Sequence, residues 1–471
     1  MKAVDNEKQE REQQVRETPG YKRALEFLFD RINYEHETRM PYSRRDMNLS
    51  RMRHLLKLVD NPHLKLKVIH IAGTKGKGST TAFLNAAFVA SGIRCGSYTS
   101  PHLHHIEERF CIDGNPCAPQ VLQELIDELR LAVEEMDSNY EGGGPTYFEI
   151  ATAVACLLFV KEQVDVAILE VGLGGRLDST NVCEPTLCAI TSISFDHTKQ
   201  LGNTLALIAG EKAGIIKAGV PVVSGVVNEL ARPVIEARAR ERSAGIKQRN
   251  HDFGFRNYRP PADERSPSTT DFFGLGGLEL KDVELGLVGE HQAANASVAL
   301  AVLQSLPAEL QSTETAIRTG FAAVRSPARF EVVASDPITI IDAAHNVASA
   351  KALVDVLTTT FADRKRRLLI GATKGKDVEG ILCRLLPLFE HVVCTKYQSN
   401  PRGFDSEKLH KLAQEVSSEL NVQQTIESVE TPAKAWQSIR EECASDELIC
   451  VTGSFFIASE VRDLVLTSDR T

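Results

Sequence analysis

The chain has 471 residues, 42% hydrophobic and 25% charged, which is too long for one ordinary core and too apolar for a disordered or fibrous protein. Its formal charge of −9 gives no global basic field, so a polyanion binder working through counterion release is excluded unless it has a local patch. No run approaches the ~18 apolar residues of a membrane span, and residues 1–18 are polar and charged, unlike a secretory signal. Residues 1–20 therefore read as a solvated tail.

Leu25, Leu28, Phe29 and Ile32 then recur at helical spacing. Met47, Met52, Leu55, Leu56 and Leu58 form a second such stretch, which Asn61-Pro62 should stop. Residues 67–72 read as a buried strand and 73–78 as a glycine-rich turn, followed by a helix through Ser79, Phe83, Leu84, Ala87 and Val89. The alternation continues with an extended 95–100, helices over 121–136 and 148–160, strands over 166–171 and 187–193, a helix over 205–216 and a strand over 220–224. Short apolar β-runs between helices predict a mostly parallel sheet covered on both faces. Residues 250–287, interrupted by Pro260-Pro261 and Gly274-Leu275-Gly276-Gly277, read as a loop-rich, locally antiparallel excursion.

Helices over 291–303 and 313–324 lead to Ser326-Pro327, where a boundary is expected. A second alternation follows: strands over 338–341, 368–370, 392–395 and 448–451, helices over 348–357 and 378–386, and a final helix. The fold class is thus α/β, with a larger domain over 21–326 and a smaller open α/β domain over 327–471, whose ligands should sit outside the carboxyl ends of its strands. Of the ten cysteines, seven lie in or beside apolar runs, Cys117, Cys183 and Cys443 sit in more polar stretches, and no pair has Cys-x-x-Cys spacing. A reducing, cytoplasmic compartment is expected.

Gly73-Thr74-Lys75-Gly76-Lys77-Gly78-Ser79-Thr80 lies between strand and helix, where backbone N–H groups and the positive helix end converge on phosphate oxygens and a lysine adds a point charge. The loop departs from G-x-x-x-x-G-K-[ST], since Ile71 stands five residues before Gly76 and Gly78 follows Lys77. A plain flexible turn with exposed lysines is the alternative at this point. Gly371-Ala372-Thr373-Lys374-Gly375-Lys376 looks similar, but Asp377-Val378-Glu379 places carboxylates at the helix start, so it reads as a domain-interface loop instead. Thr99-Ser100-Pro101-His102-Leu103 with Glu107-Glu108-Arg109-Phe110, the run Glu170 to Asn181, Asp196-His197 and Glu211-Lys212 supply further polar groups at strand ends. A hydroxyl, a carboxylate and an imidazole from three strand ends suit an octahedral, oxygen-rich Mg²⁺.

These segments together resemble the Mur-ligase superfamily, and within it the folylpolyglutamate synthase/dihydrofolate synthase family. His291-Gln292-x-x-Asn295, Pro327-Ala328-Arg329 and Asp342-Ala343-Ala344-His345-Asn346 match as well, so the resemblance runs from about Tyr21 to Val465. It implies a Mur-ligase-like P-loop ATPase domain and a C-terminal Rossmann-like domain. The implied reaction has ATP phosphorylate the carboxylate of a folate or dihydropteroate, after which the amine of L-glutamate attacks the acyl phosphate. Gly73, Thr74, Lys75, Gly76, Lys77, Gly78, Ser79 and Thr80 would cradle the phosphates, with Asn295, Arg329 and Asp342 also on the nucleotide. Ser100, Glu170 and His197 match the family's magnesium ligands, and Lys212 its carbamylated lysine. Arg109, His345 and Ser454 are weaker candidates for glutamate or the transferred phosphoryl group.

The same residues have plain structural uses: Ser100 in a turn before Pro101, Lys212 on a helix surface, Arg329 paired with Asp342, and Trp436 as filler. The chain departs from the family pattern at Ala343 and Ala328, where glycines are expected, at Val347, where a proline is expected, and in lacking a tryptophan before Arg329. Another Mur-type ligase, or a nucleotide-binding regulatory module without ligase activity, are the competing readings. The resemblance further implies a monomer acting on small molecules, with no nucleic acid or membrane partner.

Overall fold

A computed structural model describes residues 2–33, 49–263, 266–444 and 446–468. Met47 of the second predicted helical stretch lies outside them. The chain divides into two compact units: one of residues 1–256, 272–281 and 294–323, the other of residues 257–271, 282–293 and 324–471.

The first unit is built on β1 (Val68–Ala72), β2 (Cys95–Tyr98), β3 (Phe110–Ile112), β4 (Asn115–Pro116), β5 (Val166–Glu170), β6 (Pro185–Ile190), β7 (Val222–Ser224) and β8 (Ile246–Gln248), in the order β4-β3-β2-β5-β1-β6-β7-β8. β2, β5, β1, β6, β7 and β8 are parallel to one another, whereas β3 and β4 form an antiparallel edge. β1 and β5 are buried at every position, as expected of apolar runs covered on both faces. One face packs against the helices Pro19–Phe29, Leu49–Leu58, Pro119–Asn139 and Tyr147–Lys161 through residues such as Leu28, Leu55, Leu129 and Val154. The last of these helices begins at a reciprocal cap, with Thr146 Oγ1 accepting from the Glu149 N–H (3.3 Å) and Glu149 accepting from the Thr146 N–H (2.8 Å). A second cluster, including Ile190, Ile208, Ile215 and Ile235, packs the helices Leu205–Ala213 and Arg232–Glu241 beside β6 and β7.

The start of the chain differs from the expected solvated tail. Residues Lys2–Glu17 are helical, and Arg16 donates from Nε to the buried Glu107 (3.0 Å). Its mostly polar composition offers no apolar stripe from which to foresee the helix, and the Arg16–Glu107 pair depends on a residue remote in sequence.

In the stretch expected to be a loop-rich, locally antiparallel excursion, residues 250–287 hold a separate three-stranded sheet of β9 (Gly254–Arg259), β10 (Ser268–Phe273) and β11 (Glu279–Leu285), ordered β11-β10-β9. The second unit carries β12 (Glu331–Ser335), β13 (Ile338–Ile341), β14 (Lys365–Ile370), β15 (His391–Cys394), β16 (Thr425–Ser428) and β17 (Glu447–Thr452), in the order β12-β13-β17-β14-β15-β16. Only β12 runs antiparallel. Ile340, Leu368, Val392 and Leu448 lie at its core with Leu353, Leu382 and Leu409 from the covering helices. All ten cysteines are free thiols, and Cys117 and Cys183 are buried despite their polar sequence neighbours.

Candidate active site

The sheet order puts the carboxyl ends of β2, β5, β1 and β6 side by side, which is where an open α/β sheet gathers its ligands. The segments leaving these ends carry Ser100, Glu170, the glycine loop, and Thr191 to His197, in that spatial order. Thus the parallel register of β1 with β5 and β6 joins residues about a hundred positions or more apart in sequence.

The loop after β1 is held by hydroxyls from the loop after β6. Thr191 Oγ1 and Ser192 Oγ both donate to the Lys75 carbonyl (2.6 and 2.9 Å), and the Ser194 N–H donates to Thr74 Oγ1 (3.1 Å). Backbone geometry explains two glycines. A Cβ at Gly73 would stand 1.9 Å from Thr191 Oγ1, and Gly76, with φ +83°, is the left-handed residue that opens the helix Lys77–Ala90. Asn295, from the helix Glu290–Ser305, closes over Gly76 and accepts from Thr80 Oγ1 through its carbonyl (3.5 Å).

Two ammonium groups meet at one oxygen. Lys77 Nζ and Lys212 Nζ donate to the Gly73 carbonyl at 3.2 and 3.0 Å, and Lys77 Nζ lies 3.6 Å from Glu170 Oε1. Lys212 is buried rather than a helix-surface lysine; burial first, and the Lys77 charge second, lower its pKa to about 7. His197 sits at the end of the same segment with φ +48°, about half exposed, its N–H on Asp196 (2.9 Å). Ser100 is half-buried at the end of the turn after β2.

Arg109 is almost completely buried, donates from Nε to His102 Nδ1 (2.8 Å) and lies over the Tyr147 ring. It is therefore a brace for the Ser100–His102 turn rather than an exposed carboxylate contact. The neighbouring Glu107 accepts from the Tyr21 hydroxyl (2.9 Å) as well as from Arg16.

In the second unit Arg329, Asp342 and His345 cluster at the carboxyl end of β13. Asp342 accepts from the Phe330 and Ala344 N–H groups (2.9 and 2.8 Å), and Arg329 and His345 both approach the Phe455 ring. Asp342 thus anchors the backbone on either side of the site. Ser454 is buried and accepts from the Ile457 N–H (3.2 Å), which makes it a cap of the final helix, Phe455–Ser468. At the second glycine loop, Asp377 accepts from the Gly380 N–H (2.9 Å), so a carboxylate of the chain fills the helix start that a phosphate would need. Thr191, Ser192 and Ser194 have no counterpart among the residues singled out in the sequence; the Thr-x-x-Ser run directly after β6 is the signal that could have found them.

A model of the Mur ligase middle domain matches residues 71–303, and one of the Mur ligase glutamate ligase domain matches residues 328–455. The dihydrofolate synthase/folylpolyglutamate synthase of Mycobacterium tuberculosis is 36% identical over 459 residues, covering 92% of this chain and 93% of its own length. That of Bacillus subtilis is 34% identical over 419 residues, with 88% and 94% covered. The chain belongs to the folylpolyglutamate synthase/dihydrofolate synthase family. Among solved members of the family, the folylpolyglutamate synthase of M. tuberculosis complexed with ADP and AMPPCP superposes with a TM-score of 0.85 at 34% identity, covering 95% of this chain and 98% of that one. Escherichia coli FolC in complex with DHPP and ADP gives 0.80 at 28% identity, with 97% and 99% covered. The Mur-ligase fold expected from the motifs is therefore present throughout. Where this family member departs from the usual glycines, Ala328 takes the left-handed φ of +54°, while Ala343 donates its N–H to the Ala328 carbonyl (2.9 Å).

Proposed function

We propose that the chain is an ATP-dependent ligase that adds L-glutamate to the carboxylate of a folate, alone or together with making dihydrofolate from dihydropteroate. The observation that supports this reading is the meeting of Lys77 and Lys212 at the Gly73 carbonyl, with Glu170 beside Lys77, on the glycine loop between β1 and its helix. ATP gives its γ-phosphoryl group to a carboxylate oxygen, and the glutamate amine then attacks the acyl carbon, forming the amide and releasing phosphate. No protein nucleophile is needed, so what the chain must supply is positioning and charge.

Lys77 is the cation for the transferred phosphoryl group, and the Gly73–Thr80 backbone with Asn295 seats the nucleotide. Within the second unit, Arg329, Asp342 and His345 form their own polar cluster, in which Asp342 also fixes the backbone. The donor set of Glu170, Ser100 and His197 fits Mg²⁺: Glu170 already faces a cation, Lys77, and the other two ligand types leave adjoining strand ends. When bound, Mg²⁺ would neutralise developing phosphate charge there. Lys212, buried and with a depressed pKa, has an amine suited to carbamylation, the added carboxylate extending the donor set. A cytoplasmic monomer is the setting we take for this chemistry, consistent with ten free thiols.

The test combines phosphate release with mass spectrometry. Purified protein with MgATP should release phosphate only when both L-glutamate and a reduced folate or dihydropteroate are present, and the acceptor should gain one glutamyl unit. Equal phosphate release without either substrate would favour a regulatory ATPase and end the ligase reading. A panel of acceptors in the same assay separates single from dual activity, and folates from other acids.

A further inference from the structure

Two residues that carry side chains take a left-handed backbone on either side of Arg329. Ala328 has φ +54° and Phe330 φ +48°, a conformation that crowds a β-carbon and is rare for a bulky residue. Such a backbone persists only where its surroundings over-determine it. Phe330 is held by burial, with its ring stacked on that of Phe361 at 6.2 Å, and by the bond from its N–H to Asp342. Ala328 is fully buried; its carbonyl accepts from the Ala343 N–H (2.9 Å) and its own N–H donates to Glu331 Oε2 (2.9 Å). The Arg329 N–H donates to the Ser326 carbonyl (3.3 Å) and closes the turn.

Glu331 is itself gripped by a residue far along the chain. Arg462 Nε donates to both of its carboxylate oxygens, Oε2 at 2.9 Å and Oε1 at 3.1 Å, and Nη2 donates to Oε1 (2.8 Å). Both side chains are only about one-fifth exposed, and the forked geometry is the strong form of an arginine–carboxylate pair. Arg462 lies on the final helix seven residues after Phe455, hence on the same face. The Phe455 ring in turn lies 5.0 Å from the guanidinium carbon of Arg329. One helix face therefore holds Arg329 twice, directly through the ring against its guanidinium and indirectly through the carboxylate that fixes its strained backbone.

An arginine that must meet an anion gives up the freedom of a long side chain, and a backbone and ring that fix it beforehand remove part of that cost. We infer that Glu331 and Arg462 are positioning residues: through the turn at residues 328–330 they hold Arg329 preorganised for a phosphate oxygen of ATP. This rests on the ligase reading, with Arg329 as the nucleotide contact that the resemblance implies, and adds to it two residues that act only through Arg329.

The deciding measurement is a calorimetric titration of AMPPCP with Mg²⁺ into wild type, Arg329→Met, Arg462→Met and the double variant. Arg329→Met should bind about tenfold more weakly or worse, the scale of a lost charged hydrogen bond. Arg462→Met should bind about fivefold more weakly, the scale of one forked ion pair, with KM for L-glutamate within about twofold of wild type. Added to Arg329→Met, the same change should cost nothing further, because no guanidinium is left to place. Ala328→Gly, which relaxes the left-handed backbone, should bring Arg462→Met back to within about twofold of wild type. Glu331→Gln, which loses the ion pair and keeps the side chain's shape, should follow Arg462→Met and takes its place if that variant does not fold. Wild-type affinity in Arg462→Met, an equal loss with and without Arg329, or no recovery with Ala328→Gly would each overturn the positioning role, the second marking a pair that only supports the fold. An Arg329→Met protein that binds AMPPCP as tightly as wild type would instead defeat Arg329 as a nucleotide contact, and the positioning role with it.

Discussion

Two glycines two residues apart should respond to alanine in opposite ways when stability is measured and in the same way when nucleotide use is measured. At Gly76 the left-handed backbone costs a β-carbon about 1–2 kcal/mol, and that carbon would stand 2.2 Å from Asn295 Oδ1 and 2.9 Å from its Cγ, so Asn295 must move. At Gly78, in the first turn of the helix, the nearest atom to a new Cβ is Glu170 Oε2 at 3.7 Å. Among the described residues no atom stands closer to that methyl, and alanine favours helix over glycine by up to about 1 kcal/mol. Gly76→Ala should therefore lower the urea midpoint, and Gly78→Ala should leave it unchanged or raise it. Both should raise KM for MgATP, Gly78→Ala by about tenfold or more, because its methyl stands where phosphate oxygens must approach the backbone. A tenfold change corresponds to about 1.4 kcal/mol, the loss of one good contact. Coupled ADP-release kinetics alongside urea denaturation read both quantities. A Gly78→Ala enzyme with unchanged KM and kcat would refute the assignment of this loop to the nucleotide.

Lys77→Ala should cut kcat by a factor of about 10² to 10³ while the circular dichroism and melting temperature stay near those of the wild type; near-normal turnover would remove the lysine from the chemistry. Lys212 has a pKa depressed to about 7 in the folded chain against 10.5 as its ordinary value, so the unfolded chain binds more protons between these limits and stability should rise with pH across that window. Denaturation midpoints at pH 7 and 9 should show this gain in the wild type and its loss in Lys212→Met; equal slopes would contradict the burial argument. Separately, Lys212→Ala activity restored by small carboxylates would support a carbamate, and an unaffected variant would count against it. Glu107→Ala strips the acceptor from Arg16 and Tyr21 and should cost about 2–3 kcal/mol by urea denaturation, whereas an unchanged midpoint would mean that the N-terminal helix contributes nothing.

The central strands and the glycine loop were legible because β1 and β5 are short apolar runs beside helices of clear period, and because a strand–glycine–helix sequence has few other uses. What escaped depends on neighbours that no local pattern names. β3 and β4 have three and two residues, too short for an alternation to register. The N-terminal helix is mostly polar, and its Arg16 reaches Glu107, ninety-one positions away. Lys212 could be singled out by motif, but not its burial, since its neighbours come from the loop after β1. Arg109 reads in sequence as a guanidinium just after a strand end; the Tyr147 ring and His102, which contact it, are brought to it only by folding. Ser454 enters through the resemblance alone, as a weaker candidate for glutamate or the transferred phosphoryl group, and its bond from the Ile457 N–H at the start of the final helix has no signal in the local sequence.

The hydroxyl stitching of the glycine loop bears on how a nucleotide should be received. A chain segment already fixed by Thr191, Ser192 and Ser194 surrenders little freedom when a guest arrives, so the calorimetric signature of AMPPCP should show a modest entropic toll. Cutting those three threads would shift the burden of arrangement onto the guest itself, weakening its grip by loosening its host.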